Sequence, residues 1–271
     1  MIVQRFPVTA VLGYIAIDDM HIIDEFPRRG EKSRIRTSMK FTGGQAATAA
    51  IALHRWGCPV RLIGAIGDDT NGSVAINTLI AEGIDAEFIS IRNNALTQHA
   101  VIVVDILSGE RTIFWQRHEN LNLTTLDVKK DWLDQCRMLL IDGHEMKADL
   151  QAVEWIKSNG GKVVLDAEEA AEGWETLFPM VDVVVVSSDF GRRYLNCESP
   201  ENVVNKLRSM GCACVGVTLG NQGYIADWGD GLIVAGSLNV AVKDTTGAGD
   251  IFHAGIVFGM LNCWTFDKAF T

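Results

Sequence analysis

Six short runs of aliphatic residues, most of them followed by a stretch of helical length, constrain this chain more than any other feature. The runs are "TAVLGYIA" (9–16), "VRLIGAIG" (60–67), "RMLLIDG" (137–143), "KVVLDA" (162–167), "DVVVVSS" (182–188) and "CVGVTLG" (214–220). A strand with one face in water alternates polar and apolar residues, whereas a run that is apolar throughout needs cover on both faces. The intervening stretches include helical patterns at 44–56, 72–82, 147–158 and 201–210. Strands alternating with helices predict an α/β fold with a doubly wound, mainly parallel sheet flanked by helices. Two segments depart from this rhythm. Residues 98–116 read as a hairpin turning at Ser108-Gly109-Glu110, and residues 17–40 are polar, alternating and non-helical. They predict a small β lid over the carboxyl ends of the parallel strands, where open α/β sheets bind ligands.

Composition narrows the partners. A chain of 271 residues with 48% hydrophobic and 21% charged content can bury a large core and is not disordered. No apolar run approaches the roughly 18 residues of a membrane helix, and "MIVQRFPVTAVLGYIAIDDM" reads as a first strand rather than a signal peptide. Lys and Arg number 24 against 34 Asp and Glu, a net charge of -10 that argues against a nucleic-acid partner. The six cysteines (58, 136, 197, 212, 214 and 263) lack paired zinc spacing. Buried thiols in a reducing cytoplasm are the expectation.

The chemistry concentrates in "AVKDTTGAGDIFHAG" (241–255), which begins like a strand end at Val240–Val242 and finishes like a helix. Backbone at Gly247, Ala248 and Gly249 can point N–H groups into one small volume at a helix start, where the helix dipole adds positive charge. That combination suits an anion such as a phosphate. Asp250 in the first turn would be repelled there unless it has work to do. The fitting task is that of a general base, taking a proton from a hydroxyl that attacks phosphorus. The plainer alternative is that Asp244 and Asp250 cap the helix and the glycines only turn the chain.

Four motifs in order bear on this choice. "DTTGAGDIFHAG" resembles the C-terminal signature of the ribokinase-like (PfkB) carbohydrate kinases. "FTGGQAATAAIALHRWG" (41–57) is similar to their di-glycine helix start, "IGAIGDDTNG" (63–72) to their Gly-Asp-Asp turn and "TLGNQGYI" (218–225) to their nucleotide turn. "GERTIFW", "LLIDGHE" and "VVVVSSD" look closest to the ketohexokinase and sulfofructose-kinase branch. The resemblance implies one kinase domain over 1–271, with lid segments at about 14–40 and 97–117. It also implies further helices walling the adenine site beyond Thr271, ATP and Mg2+ as cofactors, and phosphorylation of a small sugar, a ketose such as fructose. By the same resemblance, Asp250 matches the catalytic base and Gly247, Ala248 and Gly249 the anion hole. Asp18 matches the aspartate that grips sugar hydroxyls, while Gly43, Gly44, Gln45 and Thr48 match the substrate-contacting helix start. Thr218, Gly220 and Gly223 match the nucleotide turn, with Ser188 and Thr245 beside it.

The residues support these roles on their own chemistry. A carboxylate accepts from two neighbouring hydroxyls, which suits Asp18, and strand alternation turns Asp19 the other way. Gly43-Gly44 leave backbone donors at a helix start, or else allow close packing. Arg111, after the hairpin turn, is a candidate for the transferred phosphate or for a solvated rim. His118, His144 and His253 lie near the site without metal spacing, and His253 reads as packed or capping. Asp68 and Asp69 read as a structural turn. The family's Asn-x-x-Glu is replaced here by Ser188-Asp189-Phe190-Gly191, which leaves Asp189 as the candidate metal carboxylate, acting through water. Trp115 and His144 argue against a sulfonated sugar, and Phe114 and Trp115 leave a nucleoside open. A non-catalytic sugar or nucleotide binder is the third reading. A lid edge offers a surface for a homodimer.

Overall fold

The computed structural model describes residues 6–242 and 245–270. In chain order the strands are β1 (Val8–Leu12), β2 (Ala16–Ile23), β3 (Ile35–Gly43), β4 (Val60–Gly67), β5 (Ile89–Arg92), β6 (Gln98–Asp105), β7 (Arg111–Gln116), β8 (Cys136–Ile141), β9 (Lys162–Ala167), β10 (Val183–Ser187), β11 (Cys214–Thr218), β12 (Tyr224–Asp227) and β13 (Leu232–Ala235). The α-helices are α1 (Gln45–Arg55), α2 (Thr70–Ala81), α3 (Lys130–Leu133), α4 (Met146–Ser158), α5 (Trp174–Leu177), α6 (Ser188–Leu195), α7 (Pro200–Ser209), α8 (Ala248–Leu261) and α9 (Phe266–Phe270).

Nine of the described strands form one sheet in the order β13-β12-β11-β10-β9-β8-β1-β4-β5. Pairing is parallel from β5 to β11, and antiparallel only at β12 and β13. The continuous apolar runs are explained by two cores. Ala10, Leu12, Leu139, Ile141, Val163, Leu165, Val184 and Val186 face the layer that includes α4 and α7. Val11, Leu140, Val164, Val183 and Val185 face α1 and α8 on the opposite side. Successive residues of one strand therefore supply both faces.

From β1 the chain winds one way to β4 and β5, then crosses back to β8 and winds the other way to β11. The reversal leaves a crevice between the carboxyl ends of β1 and β8, where no connection fills the gap. The run expected at 9–16 is split there. Gly13, at φ +151, ends β1, and a Cβ on it would lie 1.9 Å from an Asp142 carboxylate oxygen. The chain then leaves the main sheet and opens β2 of a second, four-stranded sheet ordered β3-β2-β6-β7. Residues 17–40 and 98–116 meet in this sheet, as their patterns suggested. The pairing of β2 with β6 is parallel, and the other two pairings are antiparallel.

One expectation fails. Val240–Val242 is not a strand: residues 236–242, after β13, have no regular structure, and Val240 and Val242 lie exposed. Leu238, Val240 and Val242 are all exposed, so no layer covers this stretch and its apolar residues gain no burial from an extended pairing. Asp244 lies outside the described residues.

Candidate active site

Helix α8 begins at Gly247, which adopts a left-handed conformation (φ 75) and caps the helix without a side-chain bond. A residue with a Cβ would be strained in that turn. Thr245, Ala248 and Gly249 are exposed around it. The Ala248 N–H donates to the Thr245 carbonyl at 3.1 Å, so one of the three amides expected to face an anion closes the turn instead. Nothing lies within 4 Å of where a Gly249 Cβ would project, leaving that side of the turn open.

Asp250 stands in the first turn of α8, half-buried. Burial, with Asp166 and Glu168 adding like charge, pushes its carboxyl up to about 7; His253 and a hydrogen bond from Thr48 act the other way. Thr48 also lies against Gly247, whose Cβ would come within 3.3 Å of the threonine methyl. The α1 residue expected at the sugar thus touches the α8 carboxylate.

Asp18 lies on β2 with its carboxylate over Gly43, where an added Cβ would sit 2.1 Å from Oδ2. Burial raises its pKa, and Asp19 adds to this against the pull of His99. Asp19 points to the other face as expected. It meets His99 at 2.8 Å and Lys40 at 3.4 Å, and these partners hold its carboxyl low despite a burial penalty of opposite sign. Gly44 caps α1 at φ 92, and a Cβ there would strike the Tyr14 carbonyl at 2.5 Å. That carbonyl accepts from the Ala47 N–H at 3.3 Å, so close packing accounts for both glycines. Gln45 bonds His144 Nε2 at 2.9 Å and also the Asp166 carboxylate.

Arg111 of β7 crosses to the loop before α8 and donates to the Thr245 hydroxyl at 3.2 Å. That bond spans 134 positions of sequence and joins the small sheet to the glycine turn. Of the residues expected at a nucleotide, Ser188 opens α6 just after β10 and Thr218 ends the adjacent β11, its hydroxyl donating to the Val186 carbonyl at 3.4 Å. Gly220 and Gly223 turn the chain at φ 61 and 95, and a Gly223 Cβ would lie 2.0 Å from the Ala235 carbonyl. Asp189 is exposed and ion-paired with Arg192. Its carboxylate is therefore engaged, and among the described residues no group of three or more His, Cys, Asp or Glu is arranged to hold a metal.

Motif spacing does not single out Asp142, Asp166, Glu168 or the stack around Tyr14. Asp142 follows β8 and accepts from the Tyr14 N–H at 2.6 Å and the His144 N–H at 3.2 Å, tying the two sides of the crevice together. The Tyr14 ring stacks on His144 with centroids 4.1 Å apart, and the Arg117 guanidinium covers its other face at 3.9 Å. Arg117 is paired in turn with buried Glu145, which burial pushes up to about 7. The available signal was position: Asp142 and Asp166 both lie at carboxyl ends of parallel strands.

An acid in the first turn of α8, a second acid on the small sheet and a bond from that sheet to the loop before α8 thus stand at the carboxyl ends of the parallel strands. The chain belongs to the pfkB family of carbohydrate kinases, whose pattern it matches over residues 9–271. It is a sugar or nucleoside kinase of that family. It is 29% identical over 271 residues to the ribokinase of Haemophilus influenzae, covering 96% of this chain and 87% of that one. Its fold matches Arabidopsis thaliana ribokinase complexed with ribose and ATP (TM-score 0.77, 21% identity, 98% and 89% covered). It also matches a Burkholderia thailandensis nucleoside kinase in complex with inosine (TM-score 0.77, 16% identity, 96% and 87% covered). Among the described residues no helix is long and apolar enough to cross a membrane.

Proposed function

We propose that the chain transfers the terminal phosphoryl group of ATP to a hydroxyl of a small sugar, with a ketose such as fructose as the first candidate. Asp18 grips the sugar beneath the small sheet, and Asp250 takes the proton from the attacking hydroxyl. The open side of the Gly247 turn, the α8 dipole and Arg111 stabilise charge on the transferring group. The observation that carries the reading is the place of Asp250. It stands in the first turn of α8 beside a left-handed glycine, with its carboxyl pushed up to about 7. A base of that strength is half deprotonated near neutrality and still strong enough to remove an alcohol proton as the bond to phosphorus forms. Closure of the small sheet through Arg111 and Thr245 excludes water that would otherwise take the phosphoryl group. Mg2+ arrives with the ATP phosphates; the Asp189–Arg192 pair gives no reason to route a step through a protein-held ion.

A second reading has its own observation. Phe41 and Trp115 stand in register with Asp18 on the small sheet and are 46% and 58% exposed. An aromatic face beside the sugar-gripping acid suits a nucleoside, whose base would cover it. The same exposed apolar strip suits a second copy of the chain, and a homodimer through the small sheet is the assembly we propose to test. An ADP-release assay with Mg2+ over ketoses, aldoses and nucleosides separates the two substrates. Asp250→Asn should abolish turnover and leave sugar binding intact; an active variant rejects the base. Thermal stabilisation by sugar without ADP release from any substrate would leave a binder.

A further inference from the structure

Behind Asp250, one helical turn along α8, lies His253, which is 4% exposed. Its Nδ1 is 2.7 Å from the Gly249 carbonyl oxygen and 3.1 Å from Asp166 Oδ2. Its Nε2 faces the Val185 carbonyl of β10 at 3.4 Å. All three neighbours are acceptors. A neutral imidazole has one donor and one lone pair. A contact of 2.7 Å to a carbonyl is attractive only through a hydrogen, so Nδ1 carries one. A second proton on Nε2 would meet the Val185 carbonyl, so the cavity also accommodates the charged ring. Burial, the largest influence, draws His253 below the ordinary imidazole value, against the Gly249 bond, the Asp250 charge and the Val185 bond.

Asp166 completes the arrangement. Burial, Glu168 and Asp142 push its carboxyl well above the usual range, against a bond from Gln45. An ionised Asp166 without a counter-charge would repel the Asp250 carboxylate, and His253 offsets that repulsion. The charged groups around the pair come from every packed element. They are Asp250 on α8, Asp142 after β8 and Glu168 after β9, with Arg111 and His144 near Glu168. From α1 come the neutral Gln45 and Thr48.

We infer that His253 and Asp166 form a buried proton-sharing pair, in which His253 is a positioning residue: the proton held between its Nδ1 and Asp166 keeps the pair neutral and spares Asp250 a further like charge, so that Asp250 stays a carboxylate ready to accept the substrate's proton. The inference rests on the reading of Asp250 as the base. No proton leaves the pair in the reaction: the hydroxyl proton goes to Asp250, and the pair only sets the field in which it arrives.

The test is the pH dependence of kcat/KM, measured by ADP release between pH 5.5 and 9 on the best substrate of the panel. His253→Gln should move the acidic limb up by about one unit and lower the rate roughly tenfold at pH 6.5, while at pH 8.5 the rate recovers to near the parent's. Asp166→Asn should move the limb down. Rates reduced equally at every pH, with the limb unmoved in both variants, would show that the pair only packs and would overturn the inference. Asp250→Asn run alongside separates the two ideas, since activity there rejects the base itself. Should both pair variants misfold, the ring nitrogen resonances of His253 in the unmodified chain decide. An Nδ1 proton resonance far downfield, the mark of a proton shared with a carboxylate, supports the pair, and an Nδ1 proton at the position of an ordinary bond to a carbonyl rejects it.

Discussion

Two helices of this protein start with an aspartate near glycines, and the two starts behave in opposite ways. At α2, Asp69 is the N-cap. It accepts from the Gly72 N–H at 2.9 Å and from the Thr97 hydroxyl at 2.6 Å, and that hydroxyl in turn accepts from the Gly67 N–H. These bonds hold its carboxyl low against a burial penalty. At α8, Gly247 is the cap and offers no side chain, while Asp250 receives one bond from Thr48 and faces further carboxylates. One carboxylate is surrounded by donors and stabilises a turn. The other is kept short of donors and left basic. Composition is nearly the same, so the number of donors aimed at the acid separates an aspartate held ionised from one left basic, the property the proposed role needs.

The largest expected effect sharpens that contrast. Asp250→Asn should cut kcat by about a thousandfold or more in the ADP-release assay, the range for a lost general base. The stability sign runs the other way. A carboxyl raised in the fold favours the folded state below its unfolded value, and that benefit is lost as pH rises through about 7. At pH 8 the Asn variant should therefore be more stable by roughly 1–3 kcal/mol in thermal melts, with the gain vanishing in acid. In the parent chain, kcat/KM should fall as pH drops below about 7 as the base is protonated.

Next comes the floor under Asp18. Gly43→Ala places a Cβ 2.1 Å from the carboxylate oxygen, a clash the side chain relieves by moving. The fold should survive while KM for the sugar rises about 10–100-fold, since a displacement near 1 Å is costly in positioning. An unchanged KM would remove Asp18 from the sugar site. Smaller again is Arg111→Ala, which breaks the bridge to Thr245. About a tenfold loss in kcat is expected with the melting temperature unchanged, because an exposed bond contributes little to stability.

The regular part of the fold was legible because its signals are local. The runs at 60–67 and 162–167 form β4 and β9 with the same bounds, and the helix patterns fall within two residues of α1, α2, α4 and α7. The candidate site was legible only where a backbone constraint leaves a mark in sequence. Gly44, Gly223 and Gly247 sit at positive φ, and Asp250 follows the last of them. Asp142, Asp166 and His253 left no such mark. Their juxtaposition comes from parallel strands and a helix distant in sequence, and only the winding of the sheet brings them together. The split at Gly13 was hidden for a related reason, since "TAVLGYIA" is apolar on both sides of a break set by the approach of Asp142.

Asp69 offers the smallest effect and the cleanest check on what the two helix starts teach. Asp69→Ala removes the acceptor for the Gly72 amide and the Thr97 hydroxyl, and should cost about 1 kcal/mol with kcat within a few-fold of the parent. Its pH dependence is the reverse of Asp250's: a carboxyl held low adds stability above its unfolded value, lost as pH falls towards the folded one. Asp69→Asn keeps an acceptor for the cap and should recover most of that stability at neutral pH, since Asn caps about as well as Asp. The same Asp→Asn change is then nearly silent at α2 and inactivating at α8. Equal losses of activity at both positions would mean that donor count does not distinguish them, and that the α2 turn also shapes the crevice.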